Sequence, residues 1–448
     1  MMFGQQAAQE LTQAVLRHSQ NDPAEVLLFF DEQALTRFAN NVIHQNVAET
    51  NATVILRLFR GQRIGTATTN RLDETALAQL VARARHNAEA RPPDPDYPGL
   101  PEPSSYPTVT AFDPSTADYS PEARATAVGY VCRLAAEKKL NASGAFSTGT
   151  HDIVIANSRG VSAYHTSTQA DFQTVVMAED ASGHAHSSGW RVADIPVEAL
   201  GRAAIQKAEQ GRHPRPLDPG EYTVVLDPYA TADLLGMLNF YGMSGQTVLE
   251  GRSWMNDRLG QSVMSQQVNI WDDGLDAQGA PMPFDFEGVP KRRVDIVRNG
   301  VVISPVYDRL TAHKAGQTGT GHALPPTMRS MGPLATHLFM APGPASIEAL
   351  IQSTERGLYI TRFWYTRLVH PRDCVVTGMT RDGVFMIEGG RLTQPMKNLR
   401  FTQSYVEALA NVEAIGSETR LLIGEFGGFA TRAPALKINH FKFTGSTV

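Results

Sequence analysis

Residues 221–259 read EYTVVLDPYATADLLGMLNFYGMSGQTVLEGRSWMNDRL, and the rest of the chain is organised around this stretch. Its first six residues form a β-branched and aromatic run that is typical of a buried strand. Asp227-Pro228 then starts a helical pattern. One face of this helix is apolar and should point inward, through Leu234, Leu235, Leu238 and Tyr241. A strand that leads into such a helix is where many enzymes place catalytic side chains, and this helix carries none.

The segment VVLDPYATADLLGMLNFYG from Val224, followed by a Gly-Arg-Ser block, resembles the start of the C-terminal half of the TldD/PmbA family, also called modulators of DNA gyrase. Three further blocks resemble the same family. They are FDFEGVPKRRVDIVRNGVV with AGQTGTGHA, TRDGVFMIEGGRLTQPMKNLRFTQS, and the closing PALKINHFKFTG. The resemblance is strong over 220–448 and looser over the N-terminal half.

The catalytic TldD branch of that family carries HExxxH on this helix, where two His ligate one Zn²⁺ and the Glu acts as general base. The resemblance places these three residues on Gly236, Met237 and Tyr241. Glycine has no side chain, methionine is a poor Zn²⁺ ligand that cannot take a proton, and a phenol has a pKa of about 10. The TldD branch also has a Cys before the closing strand, where this chain reads IGEFGGFATRAP.

The resemblance therefore implies the PmbA/TldE branch, with no catalytic residue and no metal in this chain. It also implies a TldD-type partner subunit that holds Zn²⁺, in a heterodimer or larger complex that degrades unfolded peptides or removes leader peptides. In such a complex this subunit would shape a closed chamber and would hold an extended substrate by strand addition at a sheet edge. A homodimer is expected when the partner is absent, because two-fold association is the default for related subunits.

Composition indicates an ordinary soluble globular protein, with 19% charged and 42% hydrophobic residues. The net charge of −5 disfavours a direct DNA-binding role, because nonspecific DNA affinity comes largely from Lys and Arg. No run of about 18 apolar residues and no signal peptide pattern occurs, so we expect a cytoplasmic protein without membrane contact. Cys132 and Cys374 show no metal or disulfide spacing and should be buried.

Chain length predicts more than one domain, because a single core stops growing at roughly 250–300 residues. In the N-terminal half, strands follow one another through short turns, which favours an α+β arrangement. Residues 91–118 contain eight prolines and should run extended over the surface as an excursion. A helix-and-strand pattern seen before residue 90 returns after residue 120, which indicates an internal repeat.

Residues 212–220, RHPRPLDPG, are the best domain boundary, with three prolines and a final glycine. In the C-terminal half, Asn-Gly and Gly-Gly turns between apolar runs predict hairpins and a partly closed sheet. We therefore predict an α+β protein of two domains: an N-terminal α/β meander domain at 1–215 and a C-terminal β-rich domain with few helices at 216–448.

Two groups of residues are candidates for chemistry apart from the resemblance. His184 and His186 should share one face of a strand, and with Glu179 or Asp180 they could bind a metal, although a solvated Ser/Gly-rich hairpin is the favoured interpretation. The second group is assigned to substrate or interface contacts: Asp285, Glu287, His313 and His322.

For Asp285 and Glu287 a general acid/base pair competes with a solvated or salt-bridged turn, which is the commoner outcome. His313 and His322 flank a glycine-rich loop that could bind anions, although these glycines more often let two backbones pass closely. Two alternatives to the subunit hypothesis stay open. One is a stand-alone metal-dependent peptidase with a non-standard site, and the other is a protein-binding regulator without proteolysis.

Overall fold

The N-terminal half consists of two similar sets of helices and strands. The computed structural model describes residues 4–423 and 429–446. The helices of this half in the described part are α1 Gln5–Ser19, α2 Glu74–Glu89, α3 Pro114–Ala117, α4 Pro121–Glu137 and α5 Val197–Gln210. The strands are β1 Ala24–Ala39, β2 Val42–Arg60, β3 Arg63–Thr69, β4 Asn141–Asn157, β5 Ser162–Met177 and β6 Ser182–Gly189.

These strands form one six-stranded sheet in the order β3-β2-β1-β4-β5-β6, with β1 and β4 antiparallel at its centre. The first unit, α1-β1-β2-β3-α2, is therefore related to the second, α4-β4-β5-β6-α5, by an approximate two-fold axis between β1 and β4. The internal repeat indicated by the sequence is present in the topology. The α+β prediction is confirmed.

A glycine at the same place in each unit supports this relation. A Cβ on Gly65 of β3 would lie 2.0 Å from the carbonyl oxygen of Ala84 in α2. A Cβ on Gly183 of β6 would lie 2.1 Å from the carbonyl oxygen of Ala204 in α5. In both units an edge strand thus meets its helix at backbone distance, which only glycine permits.

The C-terminal half is rich in strands, and its helices are short apart from α6. The helices are α6 Pro228–Gly242, α7 Gly245–Leu249, α8 Arg309–Ala315, α9 Ile347–Gln352 and α10 Tyr405–Ala410. The strands are β7 Gly220–Leu226, β8 Ile270–Asp272, β9 Val294–Arg298, β10 Val301–Val302, β11 His337–Met340, β12 Arg356–His370, β13 Val375–Glu388, β14 Arg391–Pro395, β15 Leu399–Ser404, β16 Val412–Ile423 and β17 Ala430–Ser446.

Five of these strands close into a ring, because the path β17-β15-β13-β12-β7 returns to β17 through a β7–β17 ladder. The predicted partly closed sheet is thus a closed barrel with an open extension through β11, β8, β9 and β10. Side chains of the barrel strands and of α6 share one buried core that includes Val224, Leu234, Leu358 and Phe401.

An apolar cluster joins the two halves. Leu27, Ile55 and Ile155 of the first sheet pack against Met282 and Phe284 of the C-terminal half. The proline-rich segment 91–118 reaches the same place, where the Tyr106 hydroxyl donates to the Gly288 carbonyl at 2.9 Å. The segment is mostly irregular, but Leu100 and Ala111 within it are buried. It therefore covers part of the junction. The two-domain partition at residue 215/216 stays a prediction.

None of the helices in the described residues is long and apolar enough to cross a bilayer.

Candidate functional site

Helix α6 is fixed at its start by a cap and along one face by the core. The Asp227 carboxylate accepts from the Tyr229 N–H at 3.3 Å, and Pro228 occupies the first turn. The predicted inward face is confirmed for Leu234, Leu235 and Leu238, which are fully buried. Tyr241 was predicted on the same face and is instead partly exposed.

The three positions on which the resemblance places the metal motif of the catalytic branch lie on the open side of α6. Gly236, Met237 and Tyr241 are all partly exposed. A Cβ placed on Gly236 would meet no heavy atom within 4 Å. Phe240 beside them is 41% exposed, and its ring lies edge-on to that of Tyr241 at 4.9 Å. This part of α6 therefore offers an aromatic and apolar surface in place of nitrogen and oxygen ligands.

Asp233, one turn before Gly236, is the carboxylate closest in sequence to these positions. Its Oδ2 accepts from the Thr366 hydroxyl at 2.9 Å and its Oδ1 from the Tyr405 hydroxyl at 3.2 Å. Burial raises the pKa of Asp233 to about 6, against the effect of both hydroxyl donors. Its two oxygens therefore tie α6 to β12 and α10.

The residues at this position do not fit a catalytic zinc ion. Such an ion needs three protein ligands from Cys, His, Asp or Glu, and Gly236, Met237 and Tyr241 supply none. Among residues 4–423 and 429–446, no group of three or more such side chains is arranged to hold a metal. Cys132 and Cys374 are both buried, as predicted. Residues 424–428 of the IGEFGGFATRAP segment lie outside the described residues, so the absence of its Cys is read from the sequence.

The start of α6 is hydrogen-bonded to strand β6 and helix α5 of the N-terminal half. Tyr229 donates its hydroxyl to the His186 carbonyl and accepts from the His186 N–H, both at 2.9 Å. The capping carboxylate of Asp227 accepts from Tyr359 at 2.6 Å and lies 3.4 Å from Lys207 Nζ of α5. Helix α6 is thus positioned by both halves of the molecule.

His184 and His186 lie on one face of β6 with ring centroids 6.2 Å apart, as the alternation predicted. The predicted solvated hairpin is wrong, because His184 is 5% exposed and the C-terminal half covers this strand. Burial, together with the nearby Arg362, lowers the pKa of His184 well below its ordinary value. His186 Nε2 bonds Asp171 at 2.7 Å, so neither Glu179 nor Asp180 supplies its carboxylate. No group of three or more ligand side chains in the described part of the chain, including this pair, is arranged to hold a metal.

A polar cleft of about 530 Å³ opens where the β5–β6 turn faces β13 and the segment after β14. Its charged lining residues are Glu179, Asp180, Asp382 and Lys397. Asp382 is buried and bonds Arg362 and Ser182, both at 2.5 Å. This cleft lies along the contact between the two halves.

Asp285 and Glu287 form part of a buried ionic cluster between the halves. Arg57 of β2 donates from one Nη2 to Glu25 at 2.9 Å and to Glu287 at 3.0 Å. Asp285 accepts three backbone N–H bonds, while burial and the neighbouring Glu287 raise its pKa to about 7. Burial tends to raise the pKa of Glu287, but the positive charge of Arg57 has the larger effect, and the pKa of Glu287 is lowered. The salt-bridged turn expected as the commoner outcome is therefore present, and it is buried.

His322 and His313 differ in their surroundings. His322 is fully buried, with Nε2 2.8 Å from Asp272 and Nδ1 2.8 Å from Thr320. His313 is exposed on α8. In the loop between them, a Cβ on Gly321 would lie 2.7 Å from the Pro290 carbonyl oxygen, so this glycine does let two backbone segments pass closely. The substrate or interface roles of Asp285, Glu287, His313 and His322 stay predictions.

Three models of one family match consecutive parts of the chain. They are PmbA/TldA metallopeptidase domain 1 at residues 24–88, the central domain at 117–212 and the C-terminal domain at 219–445. The chain belongs to the PmbA/TldA metallopeptidase family. The first two matched segments correspond to the two repeated units of the first sheet, so the family models divide the N-terminal half where the topology does.

Relatives agree with this assignment. The chain is 22% identical over 377 residues to the metalloprotease PmbA of Escherichia coli O157:H7, covering 81% of this chain and 80% of the relative. It is 27% identical over 239 residues to a metalloprotease of Methanothermobacter thermautotrophicus, covering 53% of this chain and 52% of the relative. The match thus covers most of the Escherichia coli protein, whereas the chain spans about half the length of the Methanothermobacter protein and of other curated relatives.

A solved structure shows the same fold. TldE from Thermococcus kodakarensis superposes with a TM-score of 0.88 at 20% identity, covering 97% of this chain and 100% of that one. At this identity the match establishes the architecture.

Proposed function

We propose that this PmbA/TldA family chain is a non-catalytic subunit of a metallopeptidase complex. A TldD-type partner would hold the catalytic Zn²⁺, and the complex would act on unfolded peptides or leader peptides. The observation that carries the proposal is the open side of α6. Gly236, Met237 and Tyr241 provide no ligand and no general base, and the carboxylate closest to them in sequence, Asp233, is engaged by Thr366 and Tyr405.

The proposal is supported by the way in which α6 is preserved as a structural element. Its cap, its buried leucines and its hydrogen bonds to β6 are all in place. A helix that keeps its position while presenting an apolar surface suits a subunit that shapes a chamber around another subunit's metal. We place the complex in the cytoplasm and give DNA no direct part in it.

The test compares the chain alone with the chain mixed with a TldD-type subunit that carries HExxxH and the Cys. Zinc content is measured by mass spectrometry, and cleavage of casein and of an unstructured peptide is followed in parallel. We expect no stoichiometric zinc and no cleavage by the chain alone, and cleavage by the mixture. The matched control is a partner whose motif Glu is replaced by Gln, which should abolish cleavage without preventing association.

Either of two results would refute the subunit proposal. One is stoichiometric zinc or peptide cleavage by the isolated chain. The other is binding to the TldD-type subunit with no cleavage under any condition, which would favour a protein-binding regulator.

A further inference from the structure

Arginine and aromatic side chains cover the outer face of the barrel where β12, β13 and β15 lie side by side. Arg362 of β12 and Arg381 of β13 both lie over the Trp364 ring, each with its Cζ 5.1 Å from the ring centroid. Arg367 lies over the Tyr365 ring at 4.3 Å. Trp364 is 40% exposed and Tyr365 is 67% exposed. This surface, which we call the arginine face, therefore combines stacked guanidinium groups with large exposed rings.

A bulge in β12 brings Arg367 onto the arginine face. Residues 364 and 367 of β12 pair with residues 379 and 377 of β13, so two residues of β12 oppose one of β13. In a regular strand Trp364 and Arg367 would point to opposite faces, because they are three positions apart. The bulge re-aims the chain, and both side chains are exposed. Tyr365 within it has a φ of 56°, in the left-handed region that an aromatic residue rarely adopts.

Three arginines of this face have no carboxylate partner in the described part of the chain. Arg381 and residue 377, which pairs with Arg367, are four positions apart on β13 and therefore share a face. Arg400 of β15 pairs with residue 379, midway between them. All three arginines are exposed. The positive charge of this face is thus concentrated along about four strand positions.

The surroundings favour a carboxylate ligand from outside the chain. A guanidinium group that stacks on a ring loses little freedom on binding, and its N–H edge can hold a carboxylate through two parallel hydrogen bonds. The carboxylates closest in sequence to Arg367 and Arg381 do not serve this purpose, because Asp373 pairs with Arg258 and Asp382 pairs with Arg362.

We infer that the arginine face binds an acidic peptide segment in an extended conformation. Four strand positions span about 13 Å, and an extended peptide presents side chains four positions apart on one face at the same spacing. Two glutamates placed in this way would meet Arg367 and Arg381, with Arg400 between them. Such binding by this chain alone does not depend on a catalytic partner, and so it does not rest on the proposed function.

A single-stranded nucleic acid suits this surface less well. Arginines and aromatic rings bind it too, but the bases stack on free ring faces. Here guanidinium groups lie over the rings of both Trp364 and Tyr365. The chain also has a net charge of −5, whereas affinity for a polyphosphate comes largely from many Lys and Arg contacts. Charge and ring geometry therefore select the acidic peptide.

The test measures binding of the full chain to a fluorescein-labelled peptide of Thr, Ser and Val that contains two glutamates four positions apart. Fluorescence anisotropy gives the dissociation constant. Arg367→Gln and Arg381→Gln should each weaken binding roughly 3- to 10-fold. Trp364→Ala leaves every charge in place and should weaken binding roughly 2- to 5-fold, because Arg381 loses the ring on which it stacks.

The matched control is Arg391→Gln, the same change at an exposed position of β14, which should leave the dissociation constant unchanged. The substituted side chains are all exposed, so the variants should fold normally, and circular dichroism checks this. Two further peptides test the ligand. Replacing both glutamates by glutamines should abolish binding, and moving them to adjacent positions should weaken it, because adjacent side chains of an extended peptide point to opposite faces.

Absence of saturable binding to the two-glutamate peptide would overturn the inference. Equal weakening by Arg391→Gln would also overturn it, since the attraction would then come from general charge, and so would equal binding of the peptide with adjacent glutamates. Tighter binding of a single-stranded DNA oligomer, lost in Arg367→Gln and Arg381→Gln, would assign the face to nucleic acid instead. Cleavage assays play no part in this test, so its failure is distinct from failure of the proposed function.

Discussion

Gly236 and Gly242 lie on the same helix but have opposite surroundings. A Cβ on Gly236 would contact nothing within 4 Å, whereas a Cβ on Gly242 would lie 1.9 Å from Cδ1 of the buried Trp254. Gly236→Ala should stabilise the protein by about 0.5–1 kcal/mol, because alanine is the better helix former. Gly242→Ala should destabilise it by roughly 1–3 kcal/mol through overpacking.

Urea unfolding of both variants checks this pair. If Gly236→Ala proved destabilising, the open side of α6 would be filled in solution, and the absence of a metal site there would need another explanation. The absence of any steric requirement at Gly236 is relevant to function. A Cβ has room at this position, so the packing of the helix does not itself require glycine there.

The prediction of residue roles was uneven for a physical reason. Gly236, Met237 and Tyr241 were assigned to the metal motif because a resemblance aligned a whole helix, and that assignment stays a prediction. The burial of Glu287 and His184 could not, because isolated polar residues are usually exposed. Glu287 is buried because Arg57 pairs with it, and the two residues are 230 positions apart in sequence. A local pattern contains no information about such a partner.

At the scale of elements, the repeated glycines of β3 and β6 set the distance between a strand and its helix. Gly65→Ala would push a Cβ to 2.0 Å from a backbone oxygen of α2, and Gly183→Ala to 2.1 Å from one of α5. Each substitution should destabilise the protein by roughly 1–3 kcal/mol, because backbone cannot move aside as a side-chain end can. Thermal unfolding measures the loss.

A glycine that is not at a contact provides the control for this prediction. Gly129 lies in α4, and its added Cβ would only approach a terminal nitrogen of Arg133 at 3.4 Å. Gly129→Ala should therefore leave stability unchanged or raise it. If Gly65→Ala and Gly183→Ala behaved like this control, the two units would not share the close strand-to-helix contact that relates them.

Element prediction succeeded where the local pattern and the tertiary structure agree. The apolar run of β7 and the capped start of α6 are both where they were expected. The outer part of β2 has no clear strand signal in the sequence, since HQNVAET has weak strand propensity and is held by its ladder to β1. The short strands β8 and β11 cannot be recognised from the sequence, because three or four residues show no periodicity.

At the scale of the whole molecule, the Arg57 cluster joins the first sheet to the C-terminal half. Arg57 is buried, bonds Glu25 and Glu287, and lies over the rings of Phe59 and Tyr97 at 5.5 and 5.4 Å. Arg57→Met should destabilise the protein by about 3–5 kcal/mol, because two carboxylates lose their buried counter-charge.

An exposed ion pair gives the control for Arg57. Arg71 contacts Asp73 at 2.9 Å on the surface, and Arg71→Met should change stability by less than about 1 kcal/mol. Replacing Glu25 and Glu287 by Gln in the Arg57→Met background should recover part of the loss, since the uncompensated charges are removed. Urea unfolding compares the four proteins. Equal losses for Arg57→Met and Arg71→Met would show that the halves are held by apolar contacts alone.

Buried histidines make the stability of the whole molecule depend on pH in a predictable direction. Burial lowers the pKa of His165 to about 4 and that of His337 to about 3. Histidines in an unfolded chain have a pKa of about 6.5. Between about pH 6.5 and 4 each of these two sites therefore binds more protons in the unfolded state, so the stability that it contributes is present above about pH 6.5 and is lost as the pH falls. Asp233 and Asp285, whose pKa values are raised by burial, contribute in the opposite direction. Each histidine contributes a slope of up to about 1.4 kcal/mol per pH unit in this window.

His165→Phe should reduce the slope by one such contribution, because a phenyl ring can occupy the site next to Phe284 without titrating. Phe284→Leu should lower stability equally at every pH. Unfolding free energies measured from pH 7 to pH 4.5 distinguish the two, and an unchanged slope in His165→Phe would mean that His165 is not buried as a neutral ring.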